Sequence, residues 1–416
     1  MSTDHPSSSP ARPGLLTLAQ ALDRLLGAIR PFADTEQVST FDALGRVLAE
    51  EVRSTLDVPP ADNTAMDGYA LRCADVPVAG TQLPVSQRIA AGVPPAALQP
   101  GTAARIFTGA QVPAGADAIV MQEQCEAGEG TVRIDTVPVE GQWIRRRGED
   151  VRSGAIVLAR GDRLTPQAMG LAASVGAATL RVARRPRVAL FSTGDELVMP
   201  GEELKPGAIY NSNRFTLRGL IEALGCDCTD LGIVPDRLDA TREALRRAAH
   251  GHDLIVTSGG VSVGEEDHLK PAVQAEGRLD LWQIAMKPGK PLAFGEVHRA
   301  EGGHAYFIGL PGNPVSSFIT FLMAVRPVLL HLQGARRLAP RTFMLRAGFD
   351  WPRPDRRQEF LRVRLDDDGS LELFPNQSSG VLTSAVWGDG VVDNPPGQAI
   401  RRGDAVRFLP FSDLMS

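Results

Sequence analysis

The sequence is constrained most by a regular alternation of strand-like and helix-like segments between residues 185 and 333. Short β-branched and apolar runs, typical of strands covered on both faces, alternate with segments whose apolar residues recur at helical spacing. This alternation predicts an open, mostly parallel sheet with helices on both faces. The predicted strands are residues 187–191, 228–234, 254–257, 281–286 and 305–309, and the predicted helices are about 213–224, 238–250 and 314–332.

The predicted strands end in polar or glycine-rich sequences. These ends are Ser192 to Glu196, Pro235-Asp236, Ser258-Gly259-Gly260, Lys287 to Pro291 and Leu310 to Pro314. Ligands of open α/β sheets bind beside the carboxyl ends of the strands. We therefore expect all five ends to line one crevice.

The turn at Ser258 to Gly260 contains two glycines, which have no side chains to cover the backbone, and it is followed by carboxylates. Its exposed amides and the start of the following helix can hold an anion. Glu265, Glu266 and Asp267 would repel a phosphate there unless they bound a cation that the phosphate also touches, as magnesium does. An ordinary turn followed by acidic helix-dipole partners is the alternative interpretation of this stretch.

The rest of the chain divides into segments of different character. Residues 1–13 are rich in Ser and Pro and are expected to be disordered. Thr17 caps a predicted helix that ends before Pro31, and Thr165-Pro166 begins a second one that stops near Gly176. Gly, Pro and short strand-like runs between these helices, and again after residue 335, predict two small β domains. The expected domains are therefore a discontinuous helical domain (14–54 and 151–184), a β insert (55–150), an α/β domain (185–334) and a C-terminal β domain (335–416).

Composition and charge narrow the class of function. The sequence has no apolar run near the ~20 residues of a membrane span, and no apolar signal-peptide core, so a cytoplasmic protein is expected. A net charge of −5 argues against general nucleic-acid binding. The four cysteines are too scattered for a disulfide framework and are expected to be reduced. Basic side chains at 145–147 and at Lys287 and Lys290 are the places where a small anion could be held.

Seven stretches of this chain resemble the molybdopterin molybdenumtransferase family, which includes MoeA and the E domain of gephyrin. The resemblance runs from about residue 15 to the end, and the motifs stand in the family's order. They are DNTAMDGYA (62–70), IFTGAQVPAGADAIVMQE (106–123), RRRGEDV (145–151), STGDEL (192–197), SGGVSVGEEDHLK (258–270), KPGKP (287–291) and LPGNPVSS (310–317).

The resemblance implies both an assembly and a reaction. It implies a homodimer of four-domain subunits with an α/β domain of the MogA-like, molybdopterin-binding type and a C-terminal domain like a β-barrel. The enzyme would insert molybdate into adenylated molybdopterin, assisted by Mg2+, and release AMP with the finished cofactor. We expect the β insert of one subunit to reach the crevice of its partner, so that the active site is composite. The molybdopterin adenylyltransferase and recipient molybdoenzymes are candidate partners, and neither nucleic acid nor a membrane is expected.

The site residues follow from matching motifs and from their chemistry. Lys287 and Lys290 can neutralise a pyrophosphate or molybdate from a loop stiffened by two prolines. Glu196, Asp236 and Asp267 supply hard oxygen ligands suited to magnesium. The catalytic positions implied are Asp67, Thr108, Asp150, Glu196, Asp236, Asp267 and Lys287, and the substrate-binding positions are Ser258, Gly259, Gly260, Lys290, Pro311, Pro314, Ser316, Arg357 and Ser379.

Two departures from the family pattern bear on substrate affinity. Arg356 stands where the family often has glycine, and Gln283 stands where some members have lysine.

Other functions stay open at the level of sequence: adenylylation of molybdopterin or hydrolysis of a nucleotide pyrophosphate on a related sheet, or a scaffold that has lost catalysis. The β insert and the KPGK loop favour the transferase over the other reactions, and the intact acidic and lysine positions argue against a pure scaffold.

Overall fold

The computed structural model describes residues 15–260 and 268–415. The segment 1–13, expected to be disordered, lies outside the described residues. So do Glu265, Glu266 and Asp267, the acidic residues that follow the Ser258 to Gly260 turn.

The α/β domain is built on a six-stranded sheet. Four neighbouring strands are parallel, and two further strands extend one edge in antiparallel pairing. In spatial order the strands are Asp227–Val234, Arg187–Thr193, Leu254–Ser258, His304–Leu310, Pro291–His298 and Gly277–Gln283. This arrangement confirms the predicted open, mostly parallel sheet.

Helices cover both faces of this sheet because its strands are apolar on both sides. Val188 and Leu190 belong to the core beneath one set of helices, whereas Ala189 and Phe191 belong to the core beneath the other. The first face carries the helix Ser212–Ala223 and a long helical stretch. This stretch consists of Pro314–Thr320, the π-helical turn Phe321–Val325 and Arg326–Leu332. The second face carries the helices Leu238–Ala249 and Leu269–Glu276.

The stretch Pro314–Leu332 corrects one expectation from the sequence. Among the described residues it is a helix of 19 residues that is long and apolar enough to cross a membrane, although the sequence had given no apolar run near that length. However, 94% of its most apolar 18-residue window is buried inside the protein. A helix that is apolar all round and enclosed by the fold is a core helix.

The N-terminal helix Leu18–Ala28 packs against the α/β domain. It begins after Thr17, the predicted cap, which forms a capping box with Gln20. Its buried Leu25 belongs to the same hydrophobic core as the first helical face of the sheet. The division into four domains stays a prediction, and this packing favours placing the helix with the α/β domain.

The remainder of the discontinuous domain is mainly extended. Its described elements are the helix Pro166–Ser174, capped by Thr165 with proline at the first helical position, the short 3-10 turn Thr40–Asp42 and two antiparallel strand pairs. The pairs join Thr35–Ser39 to Thr179–Ala183 and Val52–Arg53 to Ile156–Leu158. Each pair joins the segment before the β insert to the segment after it. The insert is therefore attached to paired strands that come from both of these segments.

The β insert contains a curled sheet of six strands. The strands in spatial order are Ala118–Met121, Gly68–Leu71, Ala103–Ile106, Thr81–Ile89, Thr131–Ile134 and Cys125–Ala127. Its entry and exit are joined where Asn63–Thr64 pairs with Ile144–Arg145. The predicted inserted β domain is thus present.

The C-terminal domain is a closed barrel of five strands. Around the barrel they are Gln358–Leu365, Ser370–Leu373, Phe343–Ala347, Ala405–Pro410 and Gly390–Asn394, and the last pairs again with the first. Short helices at Thr383–Trp387 and Phe411–Leu414 lie beside it. A two-residue strand of the α/β domain, Met286–Lys287, pairs in parallel with the barrel strand at Gln358 and Glu359, which joins the barrel to the sheet.

Candidate active site

The structure brings the five predicted strand ends together around one crevice of about 950 Å³. The crevice lies between the carboxyl edge of the sheet and the C-terminal barrel. Of the residues predicted from the sequence, those in the lining are Glu196, Asp236, Ser258, Gly259, Gly260, Lys287, Lys290, Pro311, Pro314, Ser316, Arg357 and Ser379. The barrel supplies the last two, so the crevice is formed by two domains of one chain.

The turn after the strand Leu254–Ser258 presents bare backbone to the crevice. Gly259 and Gly260 have φ values of 92° and 65°, which side chains rarely adopt. A Cβ on Gly259 would lie 2.7 Å from the carbonyl oxygen of Thr193. Glycine is therefore required for the turn to pack against the neighbouring strand end.

Lys287 is held by carboxylates of the C-terminal domain. Its Nζ lies 3.3 Å from Oε1 of Glu359 and 3.5 Å from Oδ2 of Asp355. Its side chain remains 39% exposed, so the ammonium can still meet a ligand. Lys290, on the same loop, is exposed and has no carboxylate within ion-pair distance in the described part of the chain.

Arg357 is fixed by a two-point ion pair with Asp355. Its Nε and Nη2 donate to the two carboxylate oxygens at 2.9 and 2.8 Å. The side-chain bond from Arg357, its backbone N–H and the charge of Lys287 hold the pKa of Asp355 well below its usual range. Asp355 therefore stays ionised and is shared by the two cations.

The loop that carries Ser379 is anchored on both sides of the crevice. The backbone N–H of Val315 donates to the carbonyl of Ser379 at 2.9 Å, which joins the loop to the start of the core helix. The buried guanidinium of Arg362 donates to the carbonyl of Ser378 at 3.2 Å, and Gln377 bonds the backbone of Arg362 in both directions. These contacts fix the position of the loop relative to Ser316 of that helix.

Glu196 and Asp236 bring two carboxylates to the crevice from neighbouring strand ends. The backbone N–H of Asp236 donates to the side chain of Asp195 at 3.0 Å, which orders the second of these strand ends. Neither carboxylate is paired with a cation among residues 15–260 and 268–415. The described residues contain no group of three possible metal ligands, and Asp267, the third member of the expected set, lies outside them. The two oxygen ligands fit magnesium in type.

The three site positions predicted in the β insert do not line this crevice. Asp67 accepts bonds from the backbone N–H and the hydroxyl of Thr108, both at 2.7 Å. These bonds lower the pKa of Asp67. Asp150 is exposed and lines a separate surface pocket near the base of the insert. In the part of the chain that the structure describes, the crevice lining includes no residue between 55 and 150.

The basic stretch at 145–147 has mostly internal partners. Arg146 pairs with Asp62 and Arg147 with Asp57, at 2.8 and 2.6 Å. These contacts fasten the exit of the β insert to its entry. The structure therefore favours a bracing role for Arg146 and Arg147 over the anion contact that the sequence suggested.

Sequence reasoning missed the carboxylates that surround Lys287. Asp355 and Glu359 gave no sign in the sequence beyond their place in RPDRRQEF, because only pairing with a strand about 70 residues away brings them to the lysine. Asn211 and Asn213 were also missed. Both line the crevice at the start of the helix Ser212–Ala223, and Asn213 donates to the carbonyl of Gly312 at 2.7 Å.

Comparison with known families covers nearly the whole chain. Residues 16–176 match the family described as MoeA N-terminal region (domain I and II). Residues 189–331 match the probable molybdopterin binding domain, and residues 344–411 match the MoeA C-terminal region (domain IV).

Individual proteins agree with these matches. The molybdopterin molybdenumtransferase of Haemophilus influenzae is 39% identical over 96% of this chain and 100% of its own length. The molybdopterin molybdenumtransferase of Synechococcus elongatus is 35% identical over 92% of this chain and 96% of its own length. The crystal structure of the molybdopterin biosynthesis moeA protein of Pyrococcus horikoshii OT3 has a TM-score of 0.80 at 28% identity, over 95% of this chain and 100% of that one.

Proposed function

This chain belongs to the MoeA family of molybdopterin molybdenumtransferases, and from that membership we propose how its own residues carry the reaction. The protein is a transferase of molybdenum cofactor biosynthesis that inserts molybdate into adenylated molybdopterin and releases AMP. The observation that carries the assignment of residues is the crevice between sheet and barrel, where the glycine turn and three cationic residues line one space. Both substrates are anions, and the site is built to receive negative charge.

We propose that Lys287, Lys290 and Arg357 offset the charge of the pyrophosphate and of molybdate. The backbone N–H of Gly259 already donates to the carbonyl of Leu310 at 3.1 Å, so the backbone N–H of Gly260 is the neutral donor that this turn offers to a phosphate. As the bond to AMP breaks, negative charge grows on the leaving phosphate, and cations fixed beforehand stabilise it most. Ser316 and Ser379 also line the crevice and offer hydroxyl donors.

We further propose magnesium as the cofactor, with Glu196 and Asp236 as two of its ligands and Asp267 as the third. The support is the chemistry of the two described carboxylates, which are hard oxygen ligands at adjoining strand ends. Bound there, the ion would withdraw charge from the pyrophosphate. The chain itself contributes the ligands and the ordered turn at Asp236.

The position of the β insert supports a homodimer with composite sites. Asp67 and Thr108 form an ordered pair, yet the crevice lining includes no described residue of the insert. In a twofold dimer each insert can complete the crevice of the other subunit. We propose that Asp67, Thr108 and Asp150 act in this way.

We place the enzyme in the cytoplasm, with the adenylyltransferase that makes its substrate and the molybdoenzymes that take its product as transient partners. All four cysteines are free thiols. Unpaired thiols are typical of a reducing compartment.

An assay of AMP release tests the function and its alternatives together. Purified protein with adenylated molybdopterin, magnesium and molybdate should release AMP and yield cofactor that activates an apo-molybdoenzyme. Release of AMP that is equally fast without molybdate would instead indicate a pyrophosphate hydrolase. Consumption of ATP with unmodified molybdopterin would indicate an adenylyltransferase, and no turnover under any of these conditions would indicate a scaffold.

A further inference from the structure

Glu359 is a buried carboxylate that faces the crevice lysine from another domain. Its side chain is 1% exposed, and it lies in the barrel strand Gln358–Leu365 directly opposite Lys287 in the parallel pairing. We propose that Glu359 is a positioning residue that holds the ammonium of Lys287 at the substrate phosphate. This inference rests on the proposed binding role of Lys287.

The contacts of Glu359 show why the pair has one arrangement. Oε1 faces Lys287 at 3.3 Å, while Oε2 accepts from the indole N–H of Trp351 at 2.8 Å and from the amide of Asn394 at 3.4 Å. Two neutral donors therefore fix the far oxygen and prevent the carboxylate from rotating away. The near oxygen is left for the lysine.

Burial makes the lysine the natural counter-charge. A carboxylate removed from water is costly unless it is both hydrogen-bonded and paired with a cation. In the described part of the chain, Lys287 is the cation within ion-pair distance of Glu359. Asp355 differs, because it is shared with Arg357 and is 23% exposed.

The arrangement restricts a side chain that would otherwise be flexible. A lysine has four rotatable bonds, and fixing them on binding costs free energy that a prepositioned lysine has already lost on folding. Main-chain pairing at Met286–Lys287 fixes the start of the side chain, and Glu359 fixes its end. The exposed part of the ammonium is then available to an anion with little further ordering.

A double-mutant cycle tests this proposal through the steady-state kinetics of AMP release. Lys287→Ala removes a charge-assisted contact and should raise KM for adenylated molybdopterin by at least about tenfold. Glu359→Gln keeps the shape but removes the charge, and should raise the same KM by several-fold, with less effect on kcat. In the double variant KM should be no higher than in Lys287→Ala alone, because Glu359 acts through the lysine.

Matched variants separate positioning from folding. Glu372→Gln makes the same chemical change at an exposed barrel position paired with Arg364, and should leave KM unchanged. Glu359→Asp keeps the charge and should retain a KM closer to wild type than Glu359→Gln does. If Glu359→Gln lowers Tm, the cycle is measured well below that temperature, where all four proteins are folded.

The outcomes distinguish this inference from the proposed function. If Lys287→Ala raises KM and Glu359→Gln does not, Glu359 is not a positioning residue although the lysine role stands. Effects that multiply in the double variant would likewise overturn the inference, because Glu359 would then act independently. If Lys287→Ala itself leaves KM unchanged while the protein turns over, the lysine role fails and the inference fails with it.

Discussion

The cations of the crevice differ in how readily an anion can reach them. Arg357 and Lys287 share Asp355, whose pKa is held below its usual range mainly by the bond from Arg357. Lys290 is exposed and has no described carboxylate partner. An incoming anion can therefore contact Lys290 first, and it reaches Arg357 only by sharing that cation with Asp355.

We expect all four cysteines to resist alkylation in the folded protein. Burial raises the pKa of Cys125 and Cys226 to about 12, and burial with nearby carboxylates raises the pKa of Cys73 and Cys228 to about 11. Because the thiolate is the reactive form, about one thiol in a thousand or fewer is ionised at pH 8. Brief treatment with iodoacetamide at pH 8 should leave the folded chain unmodified by mass spectrometry and label all four sites in urea. Rapid labelling without denaturant would contradict these pKa shifts.

Sequence reasoning at the residue scale succeeded where a residue stands next to a strand end. Glu196 and Asp236 follow parallel strands and lie at one edge of the sheet, and Lys290 reaches the same edge because it directly precedes the antiparallel strand Pro291–His298. Glu359 could not be identified in this way. Its role depends on the register between two strands in different domains, which no local pattern encodes.

The loop from Lys287 to Pro291 depends on glycine at position 289. Gly289 has a φ of 107°, and a Cβ there would lie 2.2 Å from Oγ1 of Thr320 on the core helix. Overpacking of this kind costs about 1 to 3 kcal/mol, in addition to the strain of the backbone conformation. We expect Gly289→Ala to displace the loop, lower Tm and raise KM for adenylated molybdopterin.

A second glycine separates steric clash from backbone strain. Gly302 has a φ of 97°, but a Cβ there would meet no atom within 4 Å. Gly302→Ala should therefore lower Tm less than Gly289→Ala and leave KM unchanged. Adding Thr320→Ala to Gly289→Ala removes the clashing oxygen and should recover part of the loss. Equal effects of the two glycine substitutions would show that space at Thr320 is not limiting.

The N-terminal helix should behave as part of the α/β core. Leu25 is fully buried among the helices on one face of the sheet. Replacing a buried leucine by alanine removes packed methyl groups and leaves a cavity, at a cost of about 2 to 5 kcal/mol. We expect Leu25→Ala to lower the free energy of unfolding by that amount in urea titrations, whereas Arg24→Ala on the exposed face of the helix should change it by less than about 0.5 kcal/mol. A small effect of Leu25→Ala would show that the helix is not integral to this core.

Elements with a clear period or cap were predicted well. Helices at Leu18–Ala28 and Pro166–Ser174 begin at their predicted caps, and the parallel strands fall within one or two residues of their predicted bounds. The antiparallel edge was not anticipated. The strand Pro291–His298 begins at a proline of the KPGKP motif and contains Gly295, which weaken a strand pattern. The strand predicted at 281–286 is instead Gly277–Gln283 followed by the separate strand Met286–Lys287, because the chain leaves the sheet there to pair with the barrel.

At the scale of the whole molecule, the α/β domain and the barrel, which form the two walls of the crevice, are joined directly to each other. The β insert, by contrast, is joined to the chain near its own base. The barrel is joined to the α/β domain by strand pairing at Lys287 and by the bond from Val315 to Ser379. The insert is joined to the chain through short strand pairs at its base and through ion pairs such as Arg147 with Asp57. The proposed contribution of Asp67 therefore depends on how two subunits assemble.

Mixed dimers test whether sites are shared between subunits. Asp67→Asn alters the insert, and Asp236→Asn alters the crevice of the α/β domain. If each site combines the insert of one subunit with the crevice of the other, both homodimers have two damaged sites and should be nearly inactive. A mixed dimer would have one site with both changes and one site with neither. After an equal mixture is unfolded and refolded, about half of the dimers are mixed, so about a quarter of wild-type AMP release should return.

The same mixture also defines the result that excludes shared sites. Two different affinity tags, one on each variant, allow mixed dimers to be purified and counted before the assay. If a site is built within one chain, each subunit of a mixed dimer keeps its own defect, and the purified mixed dimers stay as inactive as either parent. If sites are shared, the purified mixed dimers should instead recover about half of wild-type activity. Neither variant chain has both an intact insert and an intact crevice. This recovery therefore requires a site formed by the insert of one chain and the crevice of the other.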